Sequence, residues 1–165
     1  MLSKYELTTQ AACASLADLL THRGWRLGLA ESCTGGLLAA ACTSRAGSSV
    51  WFDRGFVTYS NESKMELLGV PAAALETHGA VSEPVAHAMV RGVMLRAPVQ
   101  VAVAVTGIAG PDGGTAAKPV GTVWLGYGVG GEIVTECQHF DGDRQAVRTA
   151  TVAHALTRLT QLLQS

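Results

Sequence analysis

One short stretch limits the possible folds more than any other, namely Gln-Val-Ala-Val-Ala-Val at residues 100–105. Apolar residues fill almost every position and valine takes every second one, a pattern typical of a strand that is buried on both faces. Strands of this kind lie at the centre of sheets that helices cover on both sides. A glycine-rich segment, 106–114, follows at the predicted carboxyl end of the strand. The sequence therefore predicts an α/β fold built around this strand.

The order of the other segments indicates how the layers are arranged. Patterns typical of helices and strands follow one another as α-β-α-β-α-α-β-β-β-α. Helices are predicted over 5–22, from about 35, over 63–69 and 71–78, from 82, and over 143–163, and strands over 26–30, 52–59, 100–105, 121–127 and 132–140. The Gly-Val-Gly-Gly segment at 128–131 predicts a tight turn and hence an antiparallel hairpin. We expect one domain over 1–165, a three-layer α/β/α sandwich with a mixed, mostly parallel sheet of about five strands.

The composition argues against several classes of function. Only 15% of the 165 residues are charged and the net charge is -1, so the chain offers no extended basic surface for nucleic acid. No stretch has the pattern of an export signal or a membrane span, so we expect a cytoplasmic protein without a membrane partner. A small-molecule partner fits this nearly neutral composition with few charged residues best. The apolar composition also leads us to expect a homo-oligomer.

The residues that most often bind metals are not grouped. Cys13, Cys33, Cys42 and Cys137 show no C-x-x-C spacing, and we expect free thiols in a reducing compartment. The five histidines, at 22, 78, 87, 139 and 154, form no H-x-H or H-E-x-x-H pattern. The sequence therefore predicts no metal site.

A turn of small polar residues and glycines, 31–36, links the first predicted strand to the helix that follows it. Such a turn lies at the carboxyl edge of the sheet, where open α/β sheets bind ligands, and it would display Ser32. Free amides at the helix start can bind an oxyanion, which makes Thr34 and Gly35 candidates. Cys33 is a rival nucleophile unless it is a buried and inert thiol. The alternative is that Ser32 or Thr34 only caps the helix.

A serine hydroxyl needs a base before it can act as a nucleophile, and Lys64 is the candidate because no His/Asp pair stands out. A capping pattern predicts a helix that starts near Ser63, and the positive end of that helix would lower the pKa of a lysine in its first turn. Tyr59 ends the preceding strand and is predicted to hydrogen-bond both Ser32 and Lys64 and to relay the proton. The alternative is a surface lysine paired with a neighbouring glutamate.

Two further features could bind a substrate. The loop 106–114, which begins with Thr106 and Gly107, is either an ordinary connection or a cradle of backbone amides. Arg144 and Arg148 lie one turn apart at the start of the last predicted helix. They either bind a phosphate or lie on a solvated helix face.

Four ordered segments carry a resemblance to a known family. They are Ala-Glu-Ser-Cys-Thr-Gly-Gly at 30–36, Gly-Phe-Val-Thr-Tyr-Ser-Asn-Glu-Ser-Lys at 55–64, Gly-Ala-Val-Ser at 79–82 and Val-Thr-Gly-Ile-Ala-Gly-Pro-Asp-Gly-Gly at 105–114. With these segments, nearly the whole chain resembles the CinA C-terminal domain family, in particular its stand-alone nicotinamide-nucleotide amidases (NMN deamidases).

The resemblance implies hydrolysis of the carboxamide of nicotinamide mononucleotide to nicotinate mononucleotide and ammonia, in pyridine nucleotide recycling and without a metal or cofactor. It also implies that Ser32 is the nucleophile, Lys64 the general base and Tyr59 their support. Larger family members carry an N-terminal domain similar to molybdopterin-binding proteins and linked to ADP-ribose hydrolysis, and we expect that activity to be absent here.

Two other functions remain as alternatives. One is an amidase or esterase that uses the same serine and lysine on a related small amide. The other is a non-catalytic nucleotide-binding or interaction module. The presence of Ser32, Tyr59 and Lys64 together argues against the second alternative, because a degenerate member is expected to have lost at least one of them.

Overall fold

The computed structural model describes all 165 residues. Six α-helices pack on the two faces of one five-stranded sheet, and a short 3-10 helix, Ser48–Val50, precedes the second strand. The helices are α1 (Lys4–Arg23), α2 (Leu37–Thr43), α3 (Asn61–Leu68), α4 (Ala72–His78), α5 (Glu83–Arg96) and α6 (Arg144–Gln164). The strands are β1 (Leu27–Glu31), β2 (Phe52–Val57), β3 (Val101–Gly107), β4 (Thr122–Val129) and β5 (Glu132–His139). One face is covered by α1, α2 and α6 and the other by α3, α4 and α5, which confirms the predicted α/β/α layers.

The sheet has the order β2-β1-β3-β4-β5 and is mixed, as predicted. Strand β1 pairs in parallel with both β2 and β3, whereas β4 pairs antiparallel with β3 and β5. Only β4 therefore runs against the other strands. The predicted hairpin joins β4 to β5 through Gly130 and Gly131, whose φ angles are 59° and 95°. A two-residue hairpin turn of type I′ requires positive φ angles at both of its central residues.

The central strand β3 places side chains of different size on its two faces. Valines at 101, 103 and 105 pack in the core under α1, α2 and α6, and alanines at 102 and 104 pack under α5. Glycines of the neighbouring strands lie on the α5 face as well. A Cβ atom on Gly28 or Gly126 would lie 2.6 Å from a valine methyl of α5. Helix α5 can therefore approach the sheet closely, and the alternation in the sequence encodes this difference between the layers.

The end of β2 and the start of α3 differ slightly from the prediction. The hydroxyl oxygen of Ser60 accepts a hydrogen bond from the Ser63 amide at 3.0 Å and so caps the helix. Helix α3 therefore begins at Asn61 rather than near Ser63, and Lys64 is its fourth residue. The predicted cap of α6 is confirmed, because the Asp143 carboxylate accepts from the Ala146 amide at 2.9 Å.

Three connections meet at the carboxyl ends of the parallel strands. They are the turn after β1, the corner between β2 and α3, and the loop after β3. Residues 79–82, which lead into α5, lie beside them. The fold therefore brings together segments that are far apart in the sequence. None of the helices combines the length and the apolar character needed to cross a membrane.

Candidate active site

The predicted site residues meet around one cavity of about 190 Å³ at this edge of the sheet. Its lining consists of Ser32, Cys33, Tyr59, Lys64, Ala80, Val81, Thr106, Gly107, Ala109 and Arg144. All predicted site residues except Thr34, Gly35 and Arg148 are in this lining. Sequence reasoning missed the contribution of Ala80, Val81 and Ala109, because small apolar side chains give no chemical signal.

Lys64 and Ser32 are in direct contact. The Lys64 Nζ atom lies 3.0 Å from Ser32 Oγ, 2.7 Å from the Thr58 carbonyl oxygen and 3.3 Å from the Tyr59 carbonyl oxygen. Lys64 is fully buried and Ser32 is 8% exposed. Lys64 has no carboxylate partner, so the alternative of a surface lysine paired with a glutamate is wrong.

The surroundings of Lys64 favour a neutral amine. Burial lowers the pKa of Lys64 from its ordinary value, because the charged form loses its hydration. Burial is the largest cause of this shift, and the sequence did not suggest it. A neutral amine has two N–H donors and one lone pair. The carbonyls of Thr58 and Tyr59 can accept the two N–H groups, which leaves the lone pair to accept the proton of the Ser32 hydroxyl.

The Tyr59 side chain does not lie where the sequence suggested. It is 61% exposed, and its hydroxyl oxygen accepts a hydrogen bond from Arg144 at 3.1 Å. Only the main-chain carbonyl of Tyr59 contacts Lys64, and the hydroxyl contacts neither Lys64 nor Ser32. The predicted phenol relay is absent, because Tyr59 lies in the corner after β2 with its side chain exposed at the cavity rim and bound to Arg144.

Glu31 is the polar residue of this region that sequence reasoning missed. Its fully buried carboxylate accepts a hydrogen bond from the Thr34 hydroxyl at 2.6 Å. It also accepts from the amides of Gly36, Leu38 and Ala39 at 3.0, 3.0 and 2.8 Å. The chain's own carboxylate thus fills the predicted anion site at the start of α2. The available signal was an acidic residue just before a helix N-terminus, where a negative charge is favourable.

Two backbone amides beside Ser32 remain free. The Gly35 amide donates to the Ser32 carbonyl at 3.0 Å, so it cannot serve as the predicted oxyanion donor. The amides of Cys33 and Thr34 donate to no other residue of the chain, although the Cys33 amide has a hydrogen-bond contact with its own thiol. Oxyanion donors in strand–turn–helix sites commonly include the amide that follows the nucleophile. The Cys33 and Thr34 amides are therefore the candidates here.

The Cys33 thiol is a poor rival to Ser32. The residue is 5% exposed, and burial raises the pKa of its thiol to about 11. At neutral pH the group is therefore a thiol, whereas the thiolate is the reactive form. Of the two interpretations of Cys33, the structure favours the inert one.

The start of the loop after β3 is tied to its neighbours. The Thr106 hydroxyl donates to the Ala80 carbonyl at 3.0 Å and so joins β3 to the segment before α5. A Cβ atom on Gly107 would lie 2.6 Å from a side-chain atom of Val123 and 3.0 Å from the Thr122 carbonyl oxygen. Close packing against β4 therefore accounts for the glycine at 107 without a ligand.

The two arginines of α6 occupy different environments. Arg144 lines the cavity and donates to the Gly110 carbonyl at 2.8 Å and to the Tyr59 hydroxyl at 3.1 Å. Arg148 lies outside the cavity lining and donates to two carbonyls of the turn that carries Ser32, at 3.1 and 3.2 Å. The two arginines that were predicted together as phosphate-binding residues thus have different surroundings, and only Arg144 lines the cavity.

The side chains of the cavity offer the hydroxyl of Ser32, the amine of Lys64 and the guanidinium of Arg144, together with the hydroxyls of Thr106 and Tyr59 and the thiol of Cys33. No three histidine, cysteine, aspartate or glutamate side chains lie close enough to one another to hold a metal ion. A larger cavity of about 550 Å³ lies between α3, α4 and α5, but its lining contains no serine, cysteine or lysine. The smaller cavity is therefore the candidate active site.

Comparisons with known proteins agree with this fold. The model of the CinA C-terminal domain matches residues 9–163. The nicotinamide-nucleotide amidohydrolase PncC of Enterobacter agglomerans is 55% identical over 153 residues, which are 92% of this chain and 90% of that protein. The PncC of Escherichia coli K12 is 52% identical over 147 residues, which are 88% of this chain and 89% of that protein.

A solved structure shows the same architecture. The crystal structure of the competence damage-inducible protein A from Klebsiella pneumoniae superposes with a TM-score of 0.92 at 42% identity, and the match covers 94% of this chain and 97% of that one. The domain model, the sequence relatives and the solved structure each match almost the whole chain. The chain therefore belongs to the CinA C-terminal domain family.

Proposed function

We propose that the chain is a nicotinamide-nucleotide amidohydrolase, which converts the carboxamide of nicotinamide mononucleotide into nicotinate mononucleotide and ammonia. Relatives that carry this name are 52–56% identical to it over most of its length. The observation that carries the mechanism is the 3.0 Å contact between Lys64 Nζ and Ser32 Oγ inside the cavity. A buried amine without an acidic partner is suited to take a proton from serine.

In the first half of the proposed reaction, Ser32 Oγ attacks the carboxamide carbon while neutral Lys64 accepts the hydroxyl proton. The carbonyl oxygen becomes an oxyanion, and the free amides of Cys33 and Thr34 donate to it. Lys64 then gives its proton to the amide nitrogen, the C–N bond breaks and ammonia leaves. Because Lys64 itself contacts Ser32, this proton transfer requires no relay through Tyr59.

In the second half, water cleaves the nicotinoyl ester that remains on Ser32. Lys64 accepts a proton from the attacking water and returns it to Ser32 Oγ as the ester bond breaks. The nicotinate carboxylic acid then ionises in solution. One water molecule is consumed for each amide bond cleaved, and Lys64 ends as a neutral amine. The same base therefore serves both halves.

The size of the cavity indicates how the nucleotide would lie. About 190 Å³ is below the roughly 300–1,000 Å³ of common small-molecule pockets. The cavity can therefore hold the ring with its carboxamide, while ribose and phosphate extend to the rim. Arg144 at the rim is the group of this site best suited to the phosphate, since a guanidinium can donate two parallel hydrogen bonds to phosphate oxygens.

The test is ammonia release from nicotinamide mononucleotide in buffer that contains a chelator. We expect steady release by the wild type, background release by Ser32→Ala, and wild-type rates for Ser49→Ala, a change at an exposed serine away from the cavity. Turnover by Ser32→Ala would show that the nucleophile is wrong. An inactive wild type that still binds the nucleotide would support the non-catalytic alternative.

A substrate panel tests the substrate assignment. Nicotinamide, its riboside and the dinucleotide serve as competitors that lack or alter the phosphate. We expect Arg144→Ala to raise the KM for the mononucleotide more than it lowers kcat, because it removes ground-state binding. An unchanged KM would refute the phosphate contact, and a preference for another amide would support the related-amidase alternative.

A further inference from the structure

Arg148 lies behind the turn that carries Ser32, and its strongest contacts are with that turn. Its Nε atom donates to the Cys33 carbonyl oxygen at 3.1 Å and an Nη atom donates to the Thr34 carbonyl oxygen at 3.2 Å. A weaker contact, at 3.4 Å, reaches Gln145 on the same helix. Arg148 has no carboxylate partner and does not line the cavity. Its donors are thus directed at the backbone rather than at a ligand.

The planarity of the peptide bond gives this contact a consequence for the site. In a trans peptide, the C=O and the following N–H point in opposite directions. By holding the Cys33 carbonyl, Arg148 directs the Thr34 N–H to the opposite side, away from itself. The preceding peptide is held in a similar way, since the Ser32 carbonyl accepts from the Gly35 amide. Each free amide is thus oriented through its carbonyl partner.

We infer that Arg148 is a positioning residue, which acts through the Thr34 amide by holding the Cys33–Thr34 peptide in the orientation that binds the oxyanion. The inference rests on the proposed serine mechanism. It assigns Arg148 to transition-state stabilisation and leaves phosphate binding to Arg144. Loss of Arg148 therefore lowers kcat without weakening the binding of the nucleotide.

The test compares alanine substitutions of two arginines on the same helix. We expect Arg148→Ala to lower kcat for ammonia release by roughly 10²-fold, in the range for loss of one oxyanion donor. The KM for nicotinamide mononucleotide and the calorimetric Kd for nicotinate mononucleotide remain at wild-type values. Arg158→Ala is the control, because Arg158 lies farther along α6 outside the cavity lining, and we expect it to leave all three constants unchanged.

Rescue distinguishes positioning from general damage to the fold. Added guanidinium ion should restore part of the kcat of Arg148→Ala, whereas methylammonium should not, because the planar guanidinium presents a rigid fork of N–H donors and an ammonium group acts as a compact point charge. If Arg148→Ala does not fold, Arg148→Lys is measured instead. It keeps the charge but loses the fork, and we expect a smaller fall in kcat at unchanged KM.

The outcomes separate this inference from the proposed function. A wild type that releases no ammonia overturns both. An active wild type with an unchanged kcat in the Arg148 variants, or with a raised KM at unchanged kcat, overturns only the positioning role. Rescue of Arg148→Ala by neither ion, or by both equally, also overturns it.

Discussion

Lys64 is the residue at which stability and the proposed function oppose each other most directly. Its amine is fully buried and contacts three oxygen atoms, none of them from a carboxylate. A carboxylate at this distance would stabilise the ammonium form and raise the pKa of the amine. The nearby carboxylate of Glu31 is instead engaged by Thr34 and the amides of α2. The protein therefore keeps a lysine that can lose its proton.

The pH dependence of activity tests this role of Lys64. Only the neutral amine can accept the Ser32 proton, so kcat/KM should rise with pH through the pKa of Lys64, which burial places below the ordinary value of 10.5. The ascending limb of the profile should therefore lie below the range of an exposed lysine. Profiles of kcat/KM report the groups of the free enzyme and are the measurement to make.

Substitution of Lys64 by alanine complements this pH profile. Lys64→Ala should lower kcat by roughly 10²–10⁴-fold, the usual contribution of a general base. Lys4→Ala, at an exposed residue at the start of α1, should have no effect. A wild-type rate that falls as the pH rises from about 6 to about 9 would contradict a lysine base.

Cys33 should be dispensable as a side chain. Because burial raises the pKa of its thiol to about 11, the thiolate is scarce at neutral pH. We expect Cys33→Ala to retain near wild-type kcat, since its proposed contribution is the backbone amide. Treatment of the folded wild type with iodoacetamide should leave activity intact, and rapid inactivation that Cys33→Ala abolishes would show that the thiol takes part.

The turn between β1 and α2 depends on a single carboxylate. Glu31 ends β1, and its oxygens accept four hydrogen bonds from Thr34 and the first turns of α2. The helix has only seven residues, and its first residue is preceded by a glycine that provides no side-chain cap. Glu31 therefore replaces the cap and fixes the helix relative to the strand end that carries Ser32.

Replacement of this carboxylate by an amide should destabilise the protein. Glu31→Gln keeps the shape but points N–H donors at backbone N–H groups, and loses charge-assisted hydrogen bonds. We expect a loss of about 3 kcal/mol or more in the free energy of unfolding. For a protein of this size that corresponds to a fall in Tm of about 6–12 °C.

The matched control is Glu132→Gln, which changes an exposed residue at the start of β5. Surface changes of this kind usually alter stability by less than about 0.5 kcal/mol. Calorimetry of both variants measures the two shifts in Tm. Equal and small shifts in Tm would show that the Glu31 carboxylate does not hold the turn.

The elements were largely predictable from sequence because their signals are local. The Val/Ala alternation predicted β3, the glycines predicted the β4–β5 turn, and Asp143 predicted the start of α6. The approach of Ser32 to Lys64 also followed, since parallel strands end at one edge of a sheet. The roles of Glu31 and Arg148 did not follow, because each depends on hydrogen bonds to backbone groups whose orientation only the folded turn defines.

On the scale of the entire chain, the site lies where the two helical layers meet the edge of the sheet. Lys64 comes from α3 on one face, whereas Arg144 and Arg148 come from α6 on the other. Each layer has its own hydrophobic cluster, and β3 contributes to both. The contact between Ser32 and Lys64 therefore depends on the relative placement of the two layers, between which β3 packs with its valines on one face and its alanines on the other.

Burial of Lys64 should lower the free energy of unfolding of the whole protein at pH values where an ordinary lysine is charged. Its pKa is lower in the folded state than in the unfolded state, so the unfolded state binds more protons between the two values. Under that condition the free energy of unfolding rises with pH, by about 1.4 kcal/mol for each unit of pKa difference. The penalty is complete below the folded pKa and disappears above the ordinary value.

Lys64→Met lacks this penalty, so the stability of the wild type relative to Lys64→Met should increase as the pH rises toward about 10. Urea unfolding of both proteins at a series of pH values measures the difference, with Lys4→Met as control, and a difference that does not change with pH would show that Lys64 keeps an ordinary pKa in the folded protein.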